Sequence, residues 1–214
     1  MKSAKNLLEQ LKSLPYFNKE TVYQLGMSYG LKNTTVDTYI SRFLKRKDIF
    51  QLKNGLYVSA DFYNRNKDET SYSFYLANIL RTPSYVSSWA ALQYYNLTTE
   101  AIHSVTSVTS GKVTREYRTR AGNFSYQSIK KELFTNFSLA NGKIASKPGK
   151  FDFFIASPAK ALFDLLYFRT NQFRGFQPDD LEKIMKLIED LRIDFEEMDK
   201  NEQEKFKELI KKFL

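Results

Sequence analysis

The chain has 214 residues and contains no cysteine. Disulfides and thiolate metal sites are therefore excluded, and the composition is consistent with a reducing compartment. Because cysteine is absent, a Cys–His pair is impossible, and the only histidine, His103, gives a histidine-based triad no support. The sequence contains no P-loop, no GxGxxG and no Asp-rich loop with ligand spacing. We expect a protein that is not an enzyme and that uses no metal and no cofactor.

Long apolar runs are also missing. The two longest, FDFFIA and ALFDLLYF, fall well short of the roughly 20 residues that span a bilayer. The N-terminal segment MKSAKNLLEQLKSL is amphipathic and lacks the apolar stretch of a signal peptide. We therefore expect a cytoplasmic protein with no membrane contact.

Aromatic residues and positive charge are plentiful. The 18 Phe and 14 Tyr suffice to build a core, and the net charge is +9. That charge is divided into +5 over residues 1–63, +8 over 64–176 and −4 over 177–214. A basic body with an acidic end suits a polyanionic partner, because Lys and Arg release counterions from phosphate backbones. A lysine-rich surface that only confers solubility is the alternative.

The N-terminal third has the pattern of three helices and a hairpin. Asn18 is placed to cap the second helix, and Thr34 and Asp37 have the spacing of a capping box at the start of the third. Asn54-Gly55 is a strong signal for a type I′ hairpin turn. The predicted elements are helices over residues 3–14, 19–29 and from 33 or 34, then a hairpin over 49–59.

The rest of the chain mixes helices and strands. Residues 61–68 are polar and predict a linker or hinge, and residues 102–129 predict several short antiparallel strands. Helices are predicted over 69–80, 87–95, 158–168, 178–191 and 202–214, a strand over 151–156, and a loop or hairpin over 138–150. The fold class is α+β: an N-terminal winged helix-turn-helix DNA-binding domain over residues 1–62, then a mixed α+β domain over 68–214.

The third helix separates into two faces. Val36, Tyr39, Ile40, Phe43 and Leu44 fall within one arc, which must be buried. The opposite arc contains hydroxyls and cations and no acid, whereas a solvated helix face usually mixes Glu with Lys. These donors suit phosphates and base edges. The candidate DNA-binding residues are Lys32, Thr34, Thr38, Ser41, Arg42, Lys45 and Arg46, with Lys53 and Asn54 at the tip of the predicted wing.

Three other groups of residues have weaker readings. His103 is expected to be an ordinary histidine in a strand. Lys160 and Asp164 have the i,i+4 spacing of a surface ion pair, worth about 0.3–0.5 kcal/mol. Residues 111–131 are basic with interleaved aromatics, which is typical either of an exposed sheet face or of a second surface for nucleic acid or an acidic protein. The basic residues of that possible second surface are Lys112, Arg115, Arg118 and Arg120.

Three segments together resemble the AbiEi antitoxins of bacterial abortive-infection, type IV toxin–antitoxin systems. They are VYQLGMSYGLKNTTVDTYISRFLKRKDIFQLKNGLYVSAD, PSYVSSWAALQYYNLT and FFIASPAKALFDLLYF. The family often has an acid after the proline of the third segment, where this chain has Ala159. The resemblance extends over about residues 15–170.

The resemblance implies a transcriptional repressor of its own toxin–antitoxin operon. Its winged helix would bind double-stranded DNA repeats in its promoter, and its second domain would counteract a nucleotidyltransferase-like toxin. A stand-alone winged-helix regulator with a ligand-sensing or dimerising second domain is the alternative. An enzyme acting on nucleic acid through residues 111–131 is less well supported, because no acid–base set accompanies the charge.

Overall fold

A computed structural model describes residues 2–141 and 151–214. The chain divides into two compact units: residues 1–70 together with 117–122, and residues 71–116 together with 123–214. Helices and strands both contribute to the structure, so the predicted α+β class is confirmed. Within the described ranges, no helix is long and apolar enough to cross a lipid bilayer.

The first unit contains three helices, a small sheet and a short fourth helix. Strand order in the sheet is β1-β3-β2, and both pairings are antiparallel. Its core is formed by apolar residues from all three helices and from the sheet, among them Leu7, Val22, Val36 and Ile49. The elements are α1 (Lys2–Leu11), β1 (Phe17–Asn18), α2 (Lys19–Met27), α3 (Asn33–Arg46), β2 (Ile49–Lys53), β3 (Leu56–Ser59) and α4 (Ala60–Asn66).

The starts of α2 and α3 differ in their capping. Asn18 caps α2 as predicted, with its side chain accepting a hydrogen bond from the Thr21 N–H at 2.8 Å. The predicted capping box on α3 is wrong, because the N-cap residue is Lys32, which makes no side-chain cap. Thr34 and Asp37 therefore lie inside the helix, and the Asp37 carboxylate binds partners on other residues.

The predicted linker over residues 61–68 is also wrong, because most of it is α4. The Ser59 hydroxyl accepts a hydrogen bond from the Phe62 N–H at 3.0 Å and so starts the helix. Asn66 is buried, and its side chain donates to the Phe62 carbonyl at 2.7 Å. The polar sequence of α4 lacks the apolar periodicity that predicts a helix, and the contacts that hold this helix are made by the Ser59 hydroxyl and the Asn66 amide.

The second unit is a six-stranded sheet with helices. Its elements are α5 (Thr70–Leu80), β4 (Ser84–Val86), α6 (Ser88–Tyr94), β5 (Ser104–Thr109), β6 (Arg115–Thr119), β7 (Gly122–Ser128), β8 (Phe137–Asn141), β9 (Asp152–Ala156), α7 (Pro158–Arg169), α8 (Leu181–Asp190) and α9 (Lys200–Phe213). Residues 117–119 of β6, Gly122 of β7 and Thr70 of α5 belong to the first unit. Two short 3-10 helices lie at Lys131–Leu133 and Phe195–Glu197. The five helices predicted after residue 68 are all present, with ends shifted by a few residues.

Strand order in this sheet is β6-β7-β5-β4-β9-β8. The prediction of purely antiparallel strands over residues 102–129 is wrong, because β5 and β7 are parallel from Ser104↔Asn123 to Thr109↔Ser128. After β5 the chain forms the edge strand β6 and then returns as β7, which pairs with β5. The alternation of residue types along each strand does not reveal which strands pair or in which direction. The predicted loop or hairpin over 138–150 begins in β8, and residues 142–150 lie outside the described part.

Candidate nucleic-acid interface

One face of α3 anchors this helix in the core of the first unit. Val36, Ile40 and Phe43 are buried, and Tyr39 and Leu44 are half-buried against the same core. The whole predicted apolar arc therefore faces inward. Close packing against α2 is possible because Gly26 lies opposite Val36, where a Cβ would come within 2.5 Å of the Val36 Cγ2. The opposite face of α3 is fixed in orientation by this packing.

That opposite face consists of hydroxyls, an amide and cations. Thr34, Thr38, Ser41, Arg42 and Lys45 are all exposed, as are Lys32, Asn33, Arg46 and Lys47 at the two ends. The face contains no carboxylate. Within residues 2–141 and 151–214, neither Arg42 nor Lys45 forms an ion pair. The sorting that the sequence predicted for this helix is present in the structure.

The two acids nearest to this face bind specific partners. Asp37 is half-buried, and its carboxylate accepts hydrogen bonds from Lys19 Nζ at 2.9 Å and from the Tyr23 hydroxyl at 2.8 Å. The Lys19 ammonium, followed by the Tyr23 hydroxyl, lowers the pKa of Asp37, so the carboxyl stays ionised at neutral pH. Asp48 lies 3.0 Å from Arg46 Nε. Arg46 thus has a carboxylate partner, whereas Arg42 and Lys45 form no ion pair within the described residues.

The β2–β3 hairpin lies directly after α3. Asp48 N–H bonds the Phe43 carbonyl at 2.9 Å, and Lys47 takes a left-handed conformation, so the helix ends sharply before β2. Asn54 and Gly55 form the turn between the strands, but only Gly55 has a positive φ (73°), so the predicted type I′ turn is wrong. A register shift between Gln51 and Lys53 lies directly beside this turn. Asn54 is exposed and Lys53 is half-buried.

A groove of about 640 Å³ runs between α1 and α3. Its floor is apolar, formed by Ala4, Leu8, Tyr39 and Phe43, and its basic lining residues are Lys5, Arg42 and Arg46. Lys5 was not among the predicted DNA-binding residues. The other two basic residues of the groove, Arg42 and Arg46, lie 37 and 41 positions after Lys5 in the sequence. Only the packing of α1 beside α3 could therefore have identified Lys5.

The possible second basic surface is divided between the two units. Lys112, Arg115, Arg118 and Arg120 are all exposed. Lys112 and Arg115 belong to the second unit, whereas Arg118 and Arg120 lie in the segment 117–122 of the first unit. The structure therefore does not gather these four residues on one compact body.

Comparison of the chain with protein-family models and with curated proteins finds no match. The resemblance to the AbiEi antitoxins thus rests on the three quoted segments of sequence. In the structure, the second segment (PSYVSSWAALQYYNLT) and the third (FFIASPAKALFDLLYF) lie in contact with each other.

Side chains from those two segments meet in a buried polar network. Asp164 Oδ2 accepts hydrogen bonds from the Ser87 hydroxyl at 2.7 Å and the Tyr85 hydroxyl at 3.0 Å, and Asp164 Oδ1 binds Lys160 Nζ. Lys160 is 1% exposed and Asp164 is fully buried. Burial raises the pKa of Asp164, while the Lys160 ammonium, Ser87 and Tyr85 act in the opposite direction. The predicted surface ion pair is therefore wrong.

A sequence signal for this burial was available. Lys160 and Asp164 are two charges inside the otherwise apolar helix PAKALFDLLYFR, and nine consecutive residues of it, 159–167, are buried. A helix that is apolar on every side belongs in a core, so charges inside it must pair there. The network connects β4 and the residue that follows it to α7. This arrangement suits a structural role, because both oxygens of the Asp164 carboxylate already have hydrogen-bond partners.

His103 is exposed and lies just before β5, not within a strand as predicted. The strand begins at Ser104, whose hydroxyl bonds the Asn123 carbonyl at 3.3 Å.

Proposed function

We propose that this protein is a sequence-specific double-stranded DNA-binding repressor whose first unit is a winged helix. In this proposal α2 and α3 form the helix-turn-helix, α3 is the recognition helix, and the β2–β3 hairpin is the wing. The observation that supports it most strongly is the exposed face of α3. A face that contains only hydroxyls, an amide and cations has no evident use in a purely structural helix.

The proposed roles follow from the chemistry of each side chain. Arg42 can donate two parallel hydrogen bonds to guanine O6 and N7 in the major groove, and Thr38 and Ser41 can contact bases of either kind. Lys45 and Arg46 suit phosphates. Lys32 and Thr34 lie at the N-terminal end of α3, where the helix dipole also favours a phosphate. Lys53 and Asn54 would contact the backbone beside the wing.

A direct binding measurement tests this proposal. Purified protein is titrated into a labelled duplex from the DNA upstream of its own gene and into a scrambled duplex of equal composition. We expect tighter binding to the upstream duplex and a Kd that rises steeply with salt. Equal, weak binding to both duplexes at all salt concentrations would contradict a sequence-specific repressor.

The resemblance to the AbiEi antitoxins extends the proposal to the second unit. It supports a repressor of its own toxin–antitoxin operon whose second unit counteracts a nucleotidyltransferase-like toxin in the cytoplasm. The alternative is a stand-alone regulator whose second unit senses a ligand or dimerises. A toxin gene next to this one favours the antitoxin, and the absence of such a gene favours the regulator.

A further inference from the structure

The β6–β7 hairpin is divided between the two units, because most of β6 and the turn belong to the first and most of β7 belongs to the second. Residues 117–122 cluster with the first unit, whereas β5 and most of β7 belong to the second. Sequence order gives no hint of this, because 46 residues separate the end of the main part of the first unit from this segment. The unit that contains α3 therefore includes a piece of chain from the middle of the protein.

The turn is attached to the unit through an arginine. The guanidinium carbon of Arg120 lies 5.5 Å from the centroid of the Phe50 ring. Phe50 is a buried residue of β2, the strand that follows α3, and its ring also packs edge-on against Tyr63 at 5.1 Å. Arg120 is exposed despite this contact, so its N–H groups remain accessible to a ligand. A cation held over a ring keeps its charge.

The backbone of the turn is well defined. The Thr119 hydroxyl donates to the Gly122 carbonyl at 3.1 Å and accepts from the Ala121 N–H at 2.9 Å. Ala121 is buried. These bonds hold Arg118 and Arg120 on a fixed frame, so less conformational entropy is lost when their side chains bind a ligand.

The chemistry of the segment fits phosphate. Its sequence, YRTRAG, contains two arginines and no acid, and both arginines are exposed. The planar guanidinium binds phosphate oxygens in pairs. Arginine can also bind guanine in the major groove, and an equal loss of affinity for both duplexes in the test below distinguishes a phosphate contact from a base contact. We propose that Arg118 and Arg120 form a third DNA-contacting element of the first unit and bind the sugar-phosphate backbone without reading sequence.

This inference rests on the proposed DNA-binding function, and its test is separable from that function. The variant Arg118→Ala plus Arg120→Ala is titrated with the upstream and the scrambled duplex at several KCl concentrations, by fluorescence anisotropy. We expect weaker binding to both duplexes by the same factor. The slope of log Kobs against log salt should become shallower by about 2, since each lost phosphate contact reduces it by about 1.

Two matched variants serve as controls. Lys207→Ala plus Lys211→Ala removes two exposed charges from α9 in the second unit and should leave the slope unchanged. Arg118→Lys plus Arg120→Lys keeps both charges and should retain most of the slope. A urea unfolding curve of the double alanine variant shows whether loss of the Arg120–Phe50 contact has damaged the unit.

Distinct outcomes separate the two proposals. If the double alanine variant keeps the wild-type slope and affinity while wild type still prefers the upstream duplex, the turn is not a DNA contact and the repressor proposal stands. If wild-type protein binds neither duplex, the repressor proposal itself fails.

Discussion

Asp164 and Lys160 are the charged residues that the interior of the second unit constrains most tightly. A buried ion pair contributes little net stability relative to apolar residues of the same size, but removal of one partner is costly, because the other charge stays buried alone. The two hydroxyls of Tyr85 and Ser87 depend on the same carboxylate. The network instead fixes how β4 packs against α7, because Tyr85 of β4 and Ser87, just after it, both bind Asp164 of α7.

Asp164→Asn should therefore destabilise the second unit by about 3–5 kcal/mol. The amide is isosteric and can still accept from both hydroxyls, so the loss is that of the charge opposite Lys160. Urea unfolding followed by fluorescence of Trp89, the only tryptophan, reports on this unit. Lys160→Met plus Asp164→Asn removes both charges and should recover most of the stability. A single variant as stable as wild type would show that the ion pair is dispensable.

At the scale of single residues, the sequence predicted the faces of α3 but not the network around Asp164. Helical periodicity alone decides which side of an amphipathic helix is buried, so Val36 and Arg42 could be assigned to opposite faces. The partners of Asp164 come from residues 77 and 79 positions away, and no local pattern encodes such a distance. Asp37 shows the same limit, because its bonds to Lys19 and Tyr23 depend on how α2 packs against α3.

Among the elements, the α2–α3 pair determines how the candidate DNA-binding face is presented. The two helices approach closely at Gly26, and the nearest atom is a methyl of the β-branched Val36. Since the Val36 side chain is stiff at χ1, it has little room to move away from an added methyl. The orientation of α3 therefore depends on residue 26 of α2 being glycine, which has no side chain.

Gly26→Ala should destabilise the first unit by about 1–3 kcal/mol through overpacking. The change also favours helix formation by about 1 kcal/mol, so a net loss would identify the clash as the larger effect. Urea unfolding followed by circular dichroism at 222 nm measures it. Gln24→Ala, an exposed position on the same helix, is the control and should stay near wild type. A Gly26→Ala protein more stable than wild type would contradict the close approach.

The elements of the first unit were predicted better than their ends and turns. Helix periodicity, the Asn18 cap and the Asn54-Gly55 pair each mark an element through contacts within a few residues. The short helix α4 escaped prediction because its polar sequence, ADFYNRN, lacks the apolar periodicity of the other helices, although its Ser59 cap is local. The parallel pairing of β5 with β7 escaped it because strand partners are chosen by the whole sheet.

For the whole molecule, the uneven charge of the sequence now has a structural counterpart. The first unit combines the exposed cations of α3 with Arg118 and Arg120, which the sequence had placed in another domain. The acidic C-terminal residues lie on α8, on α9, on the 3-10 helix between them and in the adjoining loops, all within the second unit. Charge counted along the chain could not reveal this, since the first unit is discontinuous in sequence.

The most direct test of DNA reading by α3 is the affinity of Arg42→Ala plus Lys45→Ala for the upstream duplex. Anisotropy titrations compare it with wild type and with Lys207→Ala plus Lys211→Ala, which matches the loss of charge. We expect the α3 variant to lose about tenfold to hundredfold in affinity and most of its preference over the scrambled duplex, with an unchanged unfolding curve. The α9 variant should bind as wild type does. An α3 variant that keeps wild-type affinity and preference would contradict the assignment of α3 as the recognition helix.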